Sequence, residues 1–351
     1  MPKGSPFSEM LTAAALKSHA YELGFNLCGI APATALPELT HLREWLDRGY
    51  AGEMLYLHRS ADARADIRHF LPSARSVVVT GTLYYTGDGT DAIARYAWGE
   101  DYHLVLADRL QQLVAWMREQ HAEDFEASIF VDKHHVQERV FARHAGLGWV
   151  GKNSCIINPE IGSWVFLAGV ATSLELPIDT PLADQCGTCT LCLDACPTGA
   201  LVDEYQLDAT RCISYLTIEH QGAIPEDKRA ALGNHIFGCD ICQDVCPWNL
   251  APLASLDPAW QPRAGRAEAT AADLWRQSDF ELHNMMEGSA MLRTTMSRLR
   301  RNLAVVLGND GGRAAADALD YPGGGVPRSA QAAETELVQE HVRWAKDRLK
   351  Y

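Results

Sequence analysis

The sequence lacks long hydrophobic runs and has little positive charge. No eighteen consecutive residues are apolar, which excludes an ordinary transmembrane helix. Residues 1–10 carry neither a twin-arginine pair nor the apolar segment of an export signal. Lys and Arg number 31 against 45 Asp and Glu, and the resulting net charge of −14 excludes a generally basic surface, although not a local basic patch. We therefore expect a cytoplasmic protein that does not enter a membrane.

The chain of 351 residues is longer than one hydrophobic core usually supports, about 250 residues, so we expect more than one domain. Apolar spacing predicts a helix and then a strand within residues 7–30, and further strands at Ser76–Leu83, Ser128–Asp132 and 163–173. Helices are predicted over Tyr102–Gln120, 136–145, 271–275, 291–308 and 333–350, with the glycine run 323–325 as a loop. This pattern indicates an α+β protein.

Two proline-containing stretches mark the expected domain boundaries. The composition changes to cysteine and small residues after Pro177–Pro181, and Pro252, Pro258 and Pro262 follow the last cysteine. We predict an α+β domain in residues 1–180, a cysteine-rich module in residues 181–255 and a helical region in residues 256–351.

Eight of the ten cysteines lie between Cys186 and Cys246. In a reducing compartment such crowding indicates metal ligands rather than disulfides. The first run reads C-x2-C-x2-C-x3-C-P from Cys186 to Pro197, which is the bacterial ferredoxin spacing, in which three thiolates bind one [4Fe–4S] cluster and the fourth binds the other. A zinc site is the alternative, but tetrahedral zinc sites use separated cysteine pairs and do not need a third close cysteine.

The second cysteine run, which begins at Cys239, lacks the first cysteine of this pattern because Ile236 stands there. Cys212 is the remaining cysteine of the module and supplies the missing ligand. The crossover of the fourth cysteine then assigns two sets of ligands. Cluster one takes Cys186, Cys189, Cys192 and Cys246, and cluster two takes Cys196, Cys212, Cys239 and Cys242. Cys28 and Cys155 are left over, and we interpret them as buried thiols.

Further segments along most of the chain agree in order and residue type with one enzyme family. They are Ala97–His103, Val131–Asp132, Glu138–Arg139, Ala145–Ser154, Gly162–Trp164, Arg211–Thr217, Arg301–Asn302, Leu307–Asn309 and Glu340–Ala345. With the cysteine module, these segments resemble the epoxyqueuosine reductases, cobalamin-dependent oxidoreductases that complete queuosine in the anticodon loop of certain tRNAs. The resemblance implies a nitroreductase-like first domain, a ferredoxin-like two-cluster module and a HEAT-like C-terminal region, with cluster electrons reducing a base-off cobalamin.

The resemblance also implies roles for individual residues. Asp132 matches the family's proton donor, a task suited to a carboxyl whose pKa burial has raised. Position alone favours another interpretation, that Asp132 caps the helix beginning near Val136. Residues that match corrin-contacting positions are Arg64, Ile156, Ser214, Cys239 and Asp240, and Lys152 and Asn153 join them as expected contacts of the cofactor's phosphate or amides.

The sequence departs from known cobalamin and family patterns at three points. The D-x-H-x-x-G signature is absent, because neither Asp101-Tyr-His103 nor Asp132-Lys-His134 is followed by the required glycine. A lower histidine ligand to cobalt is therefore not predicted. The segment 133–135, Lys-His-His, is more basic than the family pattern, and the C-terminal region is shorter than in members with longer repeat tails.

A local basic patch stands out in this acidic chain. Residues 288–309 contain no Asp or Glu, and their arginines are Arg293, Arg298, Arg300 and Arg301. Because guanidinium groups bind phosphate through parallel hydrogen bonds, the last three are predicted to contact tRNA. A solvated helix face is the alternative interpretation. Gln221 and Gly222 match a family position near the tRNA and are further expected contacts.

Two alternative functions remain open from the sequence. A reductive dehalogenase-like enzyme would share cobalamin and paired clusters, but such enzymes normally carry a twin-arginine leader. A plain electron-transfer or iron–sulfur assembly protein would bind no cobalamin. For the favoured function, the reduction of epoxyqueuosine in tRNA, we expect a monomer that receives electrons from an unidentified reductant protein.

Overall fold

The computed structural model describes residues 11–320 and 332–350. The strands are β1 Leu27–Pro32, β2 Ser76–Leu83, β3 Ala127–Phe130, β4 Trp149–Val150, β5 Ile156–Ile157, β6 Val165–Thr172, β7 Leu201–Asp203 and β8 Gln206–Leu207. The helices are α1 Ala13–Glu22, α2 His41–Asp47, α3 Leu55–Arg59, α4 Ala61–Arg64, α5 Tyr102–Gln120, α6 Glu138–His144, α7 Leu191–Ala195, α8 Ile213–Ile218, α9 Glu226–Arg229, α10 Ile241–Asp244, α11 Ala271–Arg276, α12 Asp279–Met286, α13 Met296–Asp310, α14 Arg313–Leu319 and α15 Ala332–Arg348.

Strands β1, β2, β6 and β3 form, in that order, an antiparallel four-stranded sheet. Every residue of β2 is buried, because helices cover both faces of the sheet, and this explains its nearly continuous apolar sequence. Val78 and its partner Val170 pack in the core that contains α1 and α5, whereas Val77 and its partner Ala171 pack in the core that contains α6. The N-terminal part is therefore a layered α+β structure.

Several predicted elements are present, some of them with different ends. Strand β2 and helix α5 have the predicted bounds. Strand β3 ends at Phe130, before the predicted end, because Asp132 adopts a left-handed φ of 44° that interrupts extended backbone. The predicted helix 291–308 is divided into a short 3₁₀ helix and α13, since the Thr295 hydroxyl caps α13 by accepting a hydrogen bond from the Arg298 N–H. The predicted glycine loop 323–325 lies outside the described residues.

One hydrophobic core draws residues from all three predicted segments. It contains Trp98 before α5, Phe237 of the cysteine-rich module and Leu303 of α13. The C-terminal helices therefore pack directly against both preceding segments. In the part of the chain that the structure describes, no helix is both long enough and apolar enough to cross a bilayer.

The prediction that Arg300 contacts tRNA is wrong, because its side chain points into the protein. Arg300 is 1% exposed. Its guanidinium donates to the carbonyl oxygens of Trp275 at 2.7 Å and Gln277 at 2.6 Å, and it pairs with Asp279 at 3.0 Å. Arg300 therefore joins α13 to α11 and α12 and has no free face for a phosphate.

The same prediction is wrong for Arg301, which is 0% exposed. Its guanidinium donates to the carbonyl oxygens of Leu216 at 2.7 Å, His220 at 2.8 Å and Gly222 at 2.6 Å. Burial lowers the pKa of Arg301 to about 9, which still leaves the group charged at neutral pH. Arg301 therefore fixes the loop that carries the expected tRNA contacts instead of contacting tRNA itself.

Replacing Arg301 with Met should destabilise the protein by about 3 kcal/mol, because several buried carbonyl groups lose a charged donor. Urea denaturation followed by circular dichroism measures the change. Arg118→Met on the exposed face of α5 is the matched control and should change the free energy of unfolding by less than about 0.5 kcal/mol. Equal effects of the two substitutions would contradict the structural role of Arg301.

Candidate active site

A cavity of about 450 Å³ lies at one edge of the sheet, where β2 and β3 end and β6 begins. Tyr84 follows β2, Asp132 follows β3, and Ser163 precedes β6, so three adjacent strands direct side chains into the same space. Cys155 and Gln243 line it as well. The cavity therefore extends from the α+β part of the chain to the cysteine-rich module.

Asp132 is held in this cavity by two residues of helix α5. The Tyr102 hydroxyl donates to Asp132 Oδ2 at 3.0 Å, and His103 Nε2 lies 3.1 Å from the same oxygen. His103 Nδ1 lies 2.6 Å from Asp101 Oδ1. Asp132 does not cap α6, because Gln137 occupies the cap position. The capping interpretation is therefore wrong, and Asp132, His103 and Asp101 form a continuous hydrogen-bonded network.

The network holds its proton on the histidine. Burial alone would raise the pKa of Asp132, but the hydrogen bond and charge of His103 outweigh burial and lower it. Burial would lower the pKa of His103, but hydrogen bonds to Asp101 and Asp132 outweigh that effect and raise it. The expectation that burial raises the pKa of Asp132 was therefore wrong, because it omitted a partner 29 residues away. Both shifts favour a proton on His103 and an ionised Asp132.

Two of the residues expected to contact the corrin line the same cavity. Arg64 donates from Nε to Ser60 Oγ at 3.0 Å and from Nη1 to the Val136 carbonyl oxygen at 3.0 Å, and Ile156 contributes apolar surface at the start of β5. Glu138, the first residue of α6, also lines the cavity, and its Oε1 is buried with no hydrogen-bond partner among the described residues. This wall combines apolar surface with polar groups that can bind a large ligand.

A second cavity, of about 260 Å³, is lined by four cysteine side chains. They are Cys186, Cys189, Cys192 and Cys246, the set predicted for cluster one. Four thiols around one enclosed space suit a cubane, whose irons each take one thiolate. Among the described residues, no three His, Cys, Asp or Glu side chains are arranged around a single ion.

Lys152 and Asn153 line this second cavity rather than the larger one. The buried Lys152 ammonium donates to the Gly187 carbonyl oxygen at 2.7 Å and to Glu204 at 2.6 Å. The Asn153 amide donates to the Cys242 carbonyl oxygen at 3.1 Å. Both residues therefore brace the loops that carry the cysteines, and the structure places them apart from the expected corrin site.

The cysteines predicted for cluster two also lie together. Burial raises the pKa of Cys239, and the neighbouring Cys212 and Cys196 thiols raise it further. A hydrogen bond with Cys155 raises the pKa of Cys242, followed by burial and the charges of Cys239 and Cys212. Because Cys155 also lines the 450 Å³ cavity, the cysteines predicted for cluster two lie next to that cavity. Sequence reasoning interpreted Cys155 only as a buried thiol and missed this contact.

Asp240 and Ser214 flank the ligands of cluster two. Asp240 is buried and accepts hydrogen bonds from the Arg95 N–H at 2.8 Å and from Arg95 Nη1 at 3.2 Å. Burial raises its pKa to about 6, although Arg95 opposes the shift. Burial raises the pKa of Cys212, and the neighbouring Ser214 hydroxyl acts weakly against this shift. Both side chains lie closer to the cluster ligands than to the Asp132 network.

The expected tRNA contacts other than Arg300 and Arg301 lie on or near the surface beside helix α3. The Gln221 N–H donates to Glu53 Oε2 at 2.6 Å, and Gly222 is exposed. Half-buried Arg298 donates to the Ile218 carbonyl oxygen at 2.8 Å. These contacts leave parts of the loop 219–222 open to solvent.

The ligand assignment predicts about eight irons per chain after anaerobic reconstitution, four in each cluster. Cys212→Ala should lower this number to about four, because cluster two loses one of its four ligands while cluster one keeps all of its own. Iron analysis combined with EPR of the reduced protein measures the change. Cys28→Ala and Cys155→Ala are the controls and should keep about eight irons, and a loss of iron in Cys155→Ala would contradict the assignment.

Comparison with known proteins identifies the family of this chain. A family model described as 4Fe-4S double cluster binding domain matches residues 185–249, and one described as Epoxyqueuosine reductase QueG, DUF1730, matches residues 64–133. The chain is 41% identical to the epoxyqueuosine reductase of Xanthomonas campestris over 95% of each chain. It is 37% identical to that of Escherichia coli K12, covering 95% of this chain and 88% of the relative.

Solved structures give the same result. An epoxyqueuosine reductase crystallised with an epoxyqueuosine-modified tyrosine tRNA stem loop matches with a TM-score of 0.85 and 28% identity over 96% of this chain and 89% of the other. The Bacillus subtilis enzyme with its catalytic aspartate loop swung out of the active site matches with a TM-score of 0.82 and 28% identity over 96% and 90%. The chain therefore belongs to the epoxyqueuosine reductase family of oxidoreductases, and its residues 185–249 form a double [4Fe–4S] cluster domain.

Proposed function

We propose that this protein reduces epoxyqueuosine to queuosine in the anticodon loop of tRNA. The observation that carries the proposal is the cavity that joins the Asp132 network to the ligands of cluster two. The cavity contains a proton-holding network and lies next to the cysteines predicted to bind an electron-transfer cluster. Protons and electrons are the two requirements of a reductive deoxygenation. The family membership and the stem loop bound to the related enzyme support the choice of substrate.

The cavity has features that suit cobalamin. Its lining combines the apolar side chains of Ile156 and Phe166 with the polar groups of Arg64 and Gln243, as a flat macrocycle with amide arms requires. Glu138 Oε1 is buried there without a protein partner, so it can accept a hydrogen bond from a ligand amide while the other oxygen of the carboxyl carries a proton. Bound there, cobalamin would supply the cobalt-centred redox chemistry of the reaction.

Asp132 is the proposed proton donor. Opening the epoxide and removing its oxygen as water consumes two electrons and two protons, and general-acid catalysis stabilises the leaving oxygen. Asp132 is ionised in the resting network, so its proton comes from His103 through the 3.1 Å contact. Asp101 on the other side of the ring holds the imidazole in place at 2.6 Å. His103 is therefore a positioning and proton-holding residue behind Asp132.

The proposed electron route runs from an external reductant protein to cluster one, then to cluster two, and from there into the cavity. The segment 152–156 separates the two cavities, with Asn153 lining the cluster-one space and Ile156 lining the larger one. The Asn153 amide also binds the Cys242 carbonyl oxygen at 3.1 Å. This segment keeps the two ligand sets at a fixed separation, as efficient single-electron transfer requires.

The proposed tRNA surface lies around the loop 219–222. Arg293 pairs with Glu219 at 2.7 Å, and its guanidinium carbon lies 5.2 Å from the centre of the partly exposed Tyr56 ring. The charge of Asp132 contributes to the raised pKa of Tyr56, after burial and Glu219, which places Tyr56 near the cavity. An aromatic ring beside an arginine is a platform on which an unstacked base can lie. Gln221, Gly222 and Arg298 extend this surface as further proposed contacts.

The remaining family properties complete the proposal. We infer a nitroreductase-like domain in residues 1–180, a ferredoxin-like module in 181–255 and a HEAT-like region in 256–351. A reaction on tRNA is expected to take place in the cytoplasm, and no second chain is needed to complete the cavity described here.

Anaerobic reconstitution with iron, sulfide and cobalamin, followed by nucleoside analysis of tRNA that carries the epoxide, tests the function directly. The wild-type protein should produce queuosine, and Asp132→Asn should lower kcat at least about 100-fold while keeping iron and cobalamin, because the general acid is lost. Asp124→Asn, an exposed aspartate beyond α5, is the control. Unchanged epoxyqueuosine with fully loaded wild-type protein would overturn the function, and full activity of Asp132→Asn would remove Asp132 from its role.

The proton-holding role of His103 predicts a particular pH dependence. The pKa of His103 is raised above its ordinary 6.5, so its proton is available below the raised value and kcat should fall as pH rises through it. Asp101→Asn removes one carboxylate from the ring and should move this falling limb to lower pH, while Asn still caps α5. A pH profile of kcat measures the shift. If the falling limb of the kcat profile lies at the same pH in Asp101→Asn as in the wild type, the proton-holding role of the network is contradicted.

If a base of the tRNA stacks on Tyr56, replacing this residue should weaken tRNA binding without slowing the chemical step. Tyr56→Ala should weaken binding of an epoxyqueuosine stem loop about tenfold, because stacking on the ring is lost, and should leave kcat at saturation unchanged. Fluorescence anisotropy with a labelled stem loop measures the affinity. Tyr21→Ala on α1, which is 50% exposed, is the matched control, and equal affinities of the two variants would exclude the Tyr56 platform.

A further inference from the structure

Glu138 is a buried carboxyl whose position and surroundings are not explained by packing. It is the first residue of α6, and it lines the same cavity as Asp132. Its Oε1 has less than 1 Å² of exposed surface and no hydrogen-bond partner among the described residues. A buried polar atom without a partner costs about 1–3 kcal/mol, so a purely structural glutamate would be a poor choice here. The position is instead typical of a functional group.

The charges around Glu138 come from three elements. Asp132 faces it from the turn after β3, Arg64 from α4, and Arg139 from its own helix. Burial raises the pKa of Glu138 to about 7, and the negative charge of Asp132 adds to burial, whereas its own backbone N–H and the two arginines oppose the shift without outweighing it. The other titratable groups that line the cavity are Tyr84, Tyr96, Tyr102 and Cys155. At neutral pH, Glu138 therefore holds a proton in about half of the molecules.

The proposed reaction needs two protons, and the Asp132 network holds one of them. Asp132 is ionised and His103 carries the proton, so the network delivers a single proton to the epoxide oxygen. The hydroxyl formed by that step needs a second proton to leave as water, while the two electrons come from the clusters. The second proton comes either from solvent, to which Asp132 is partly open, or from a group that lines the cavity. Glu138 lines the same cavity as Asp132, and its pKa of about 7 lets it hold a proton there.

We propose that Glu138 supplies the second proton of the reaction by reprotonating Asp132 across the cavity after Asp132 has given up the first. In this step the carboxylic O–H bond of Glu138 breaks, the O–H bond of Asp132 forms, and Glu138 remains as a carboxylate until solvent returns its proton. Both residues line the same cavity. The inference rests on the proposed function, because it assigns the second proton of that reaction.

A structural role for Glu138 makes a different prediction. A carboxylate in the first turn of a helix is favoured by the helix dipole, and Gln would keep the shape and hydrogen-bonding capacity of the side chain. If Glu138 only supported α6, Glu138→Gln would leave kcat and its pH profile as in the wild type. If Glu138 supplies a proton, Gln removes that proton and leaves the fold unchanged.

The test compares Glu138→Gln, Glu138→Asp and Glu123→Gln with the wild type in the protein loaded with clusters and cobalamin. Glu123 is exposed beyond α5 and is the matched control. Glu138→Gln should lower kcat about 100-fold with an unchanged KM for tRNA. Its pH profile of kcat should lose the inflection near pH 7 and keep the falling limb that His103 sets. Glu138→Asp should restore part of kcat. Iron content and the visible spectrum of each variant verify folding.

Infrared spectroscopy of the same proteins without tRNA supplies a readout that does not depend on turnover. The difference between the wild-type and Glu138→Gln spectra should contain a protonated-carboxyl band that disappears as pH rises through about 7, whereas bands of other carboxyl groups such as Asp240 cancel. The difference between the wild-type and Glu123→Gln spectra should lack this band. Wild-type kcat and pH profile in Glu138→Gln, or the absence of the band from the first difference spectrum, would overturn the inference. An inactive wild type would overturn the proposed reaction and the inference together, whereas an active wild type with an equally active Glu138→Gln would overturn the inference alone.

Discussion

The hydrogen bond between His103 and Asp132 is the contact on which the proposed chemistry depends. It requires β3 to end at Phe130 and Asp132 to turn with a φ of 44°, so that the carboxylate faces the first turn of α5. It also requires Asp101 to hold the other face of the imidazole. Because the imidazole is hydrogen-bonded to two carboxylates, a proton on His103 and an ionised Asp132 are favoured. In the proposed reaction this proton moves through Asp132 to the leaving oxygen.

The second constraint is the fixed position of that network relative to the cysteines predicted to bind the clusters. The turn 151–155 is tied to the module by the Asn153 amide and by the contact of Cys155 with Cys242. The loop 219–222 is held by the buried guanidinium of Arg301. Since one hydrophobic core also joins Trp98, Phe237 and the C-terminal helices, the α+β part and the module are held together along two sides. The cavity between them is therefore a fixed part of the fold.

Local sequence patterns predicted the features that local geometry decides. The cysteine spacing grouped the four ligands that line one cavity, because a tight loop with three cysteines can surround only one cluster. The sequence patterns predicted where β2 and α5 begin and end, because β2 is a continuous apolar run and α5 is a continuous amphipathic run. Asp132 was identified through family resemblance, and its position after β3 agrees with that role.

Features that depend on contacts between distant segments were not predicted. The arginine pattern of α13 could not show which side of the helix is covered by α8, α11 and α12, so Arg300 and Arg301 were assigned to the wrong surface. The pKa of Asp132 depends on His103, and the environment of Cys155 depends on Cys242 in another segment. Lys152 was expected to contact the corrin, but its ammonium group donates hydrogen bonds to the Gly187 carbonyl oxygen and to Glu204.

A crystal structure of the oxidised, cobalamin-loaded enzyme with an epoxyqueuosine stem loop would test the central claim most directly, because chemistry cannot proceed without reductant. The account predicts that the epoxide oxygen lies within hydrogen-bond distance of the Asp132 carboxylate, about 3 Å, with the corrin between the substrate and the loop that carries Cys242. An epoxide oxygen bound far from Asp132, or a corrin bound away from cluster two, would contradict it.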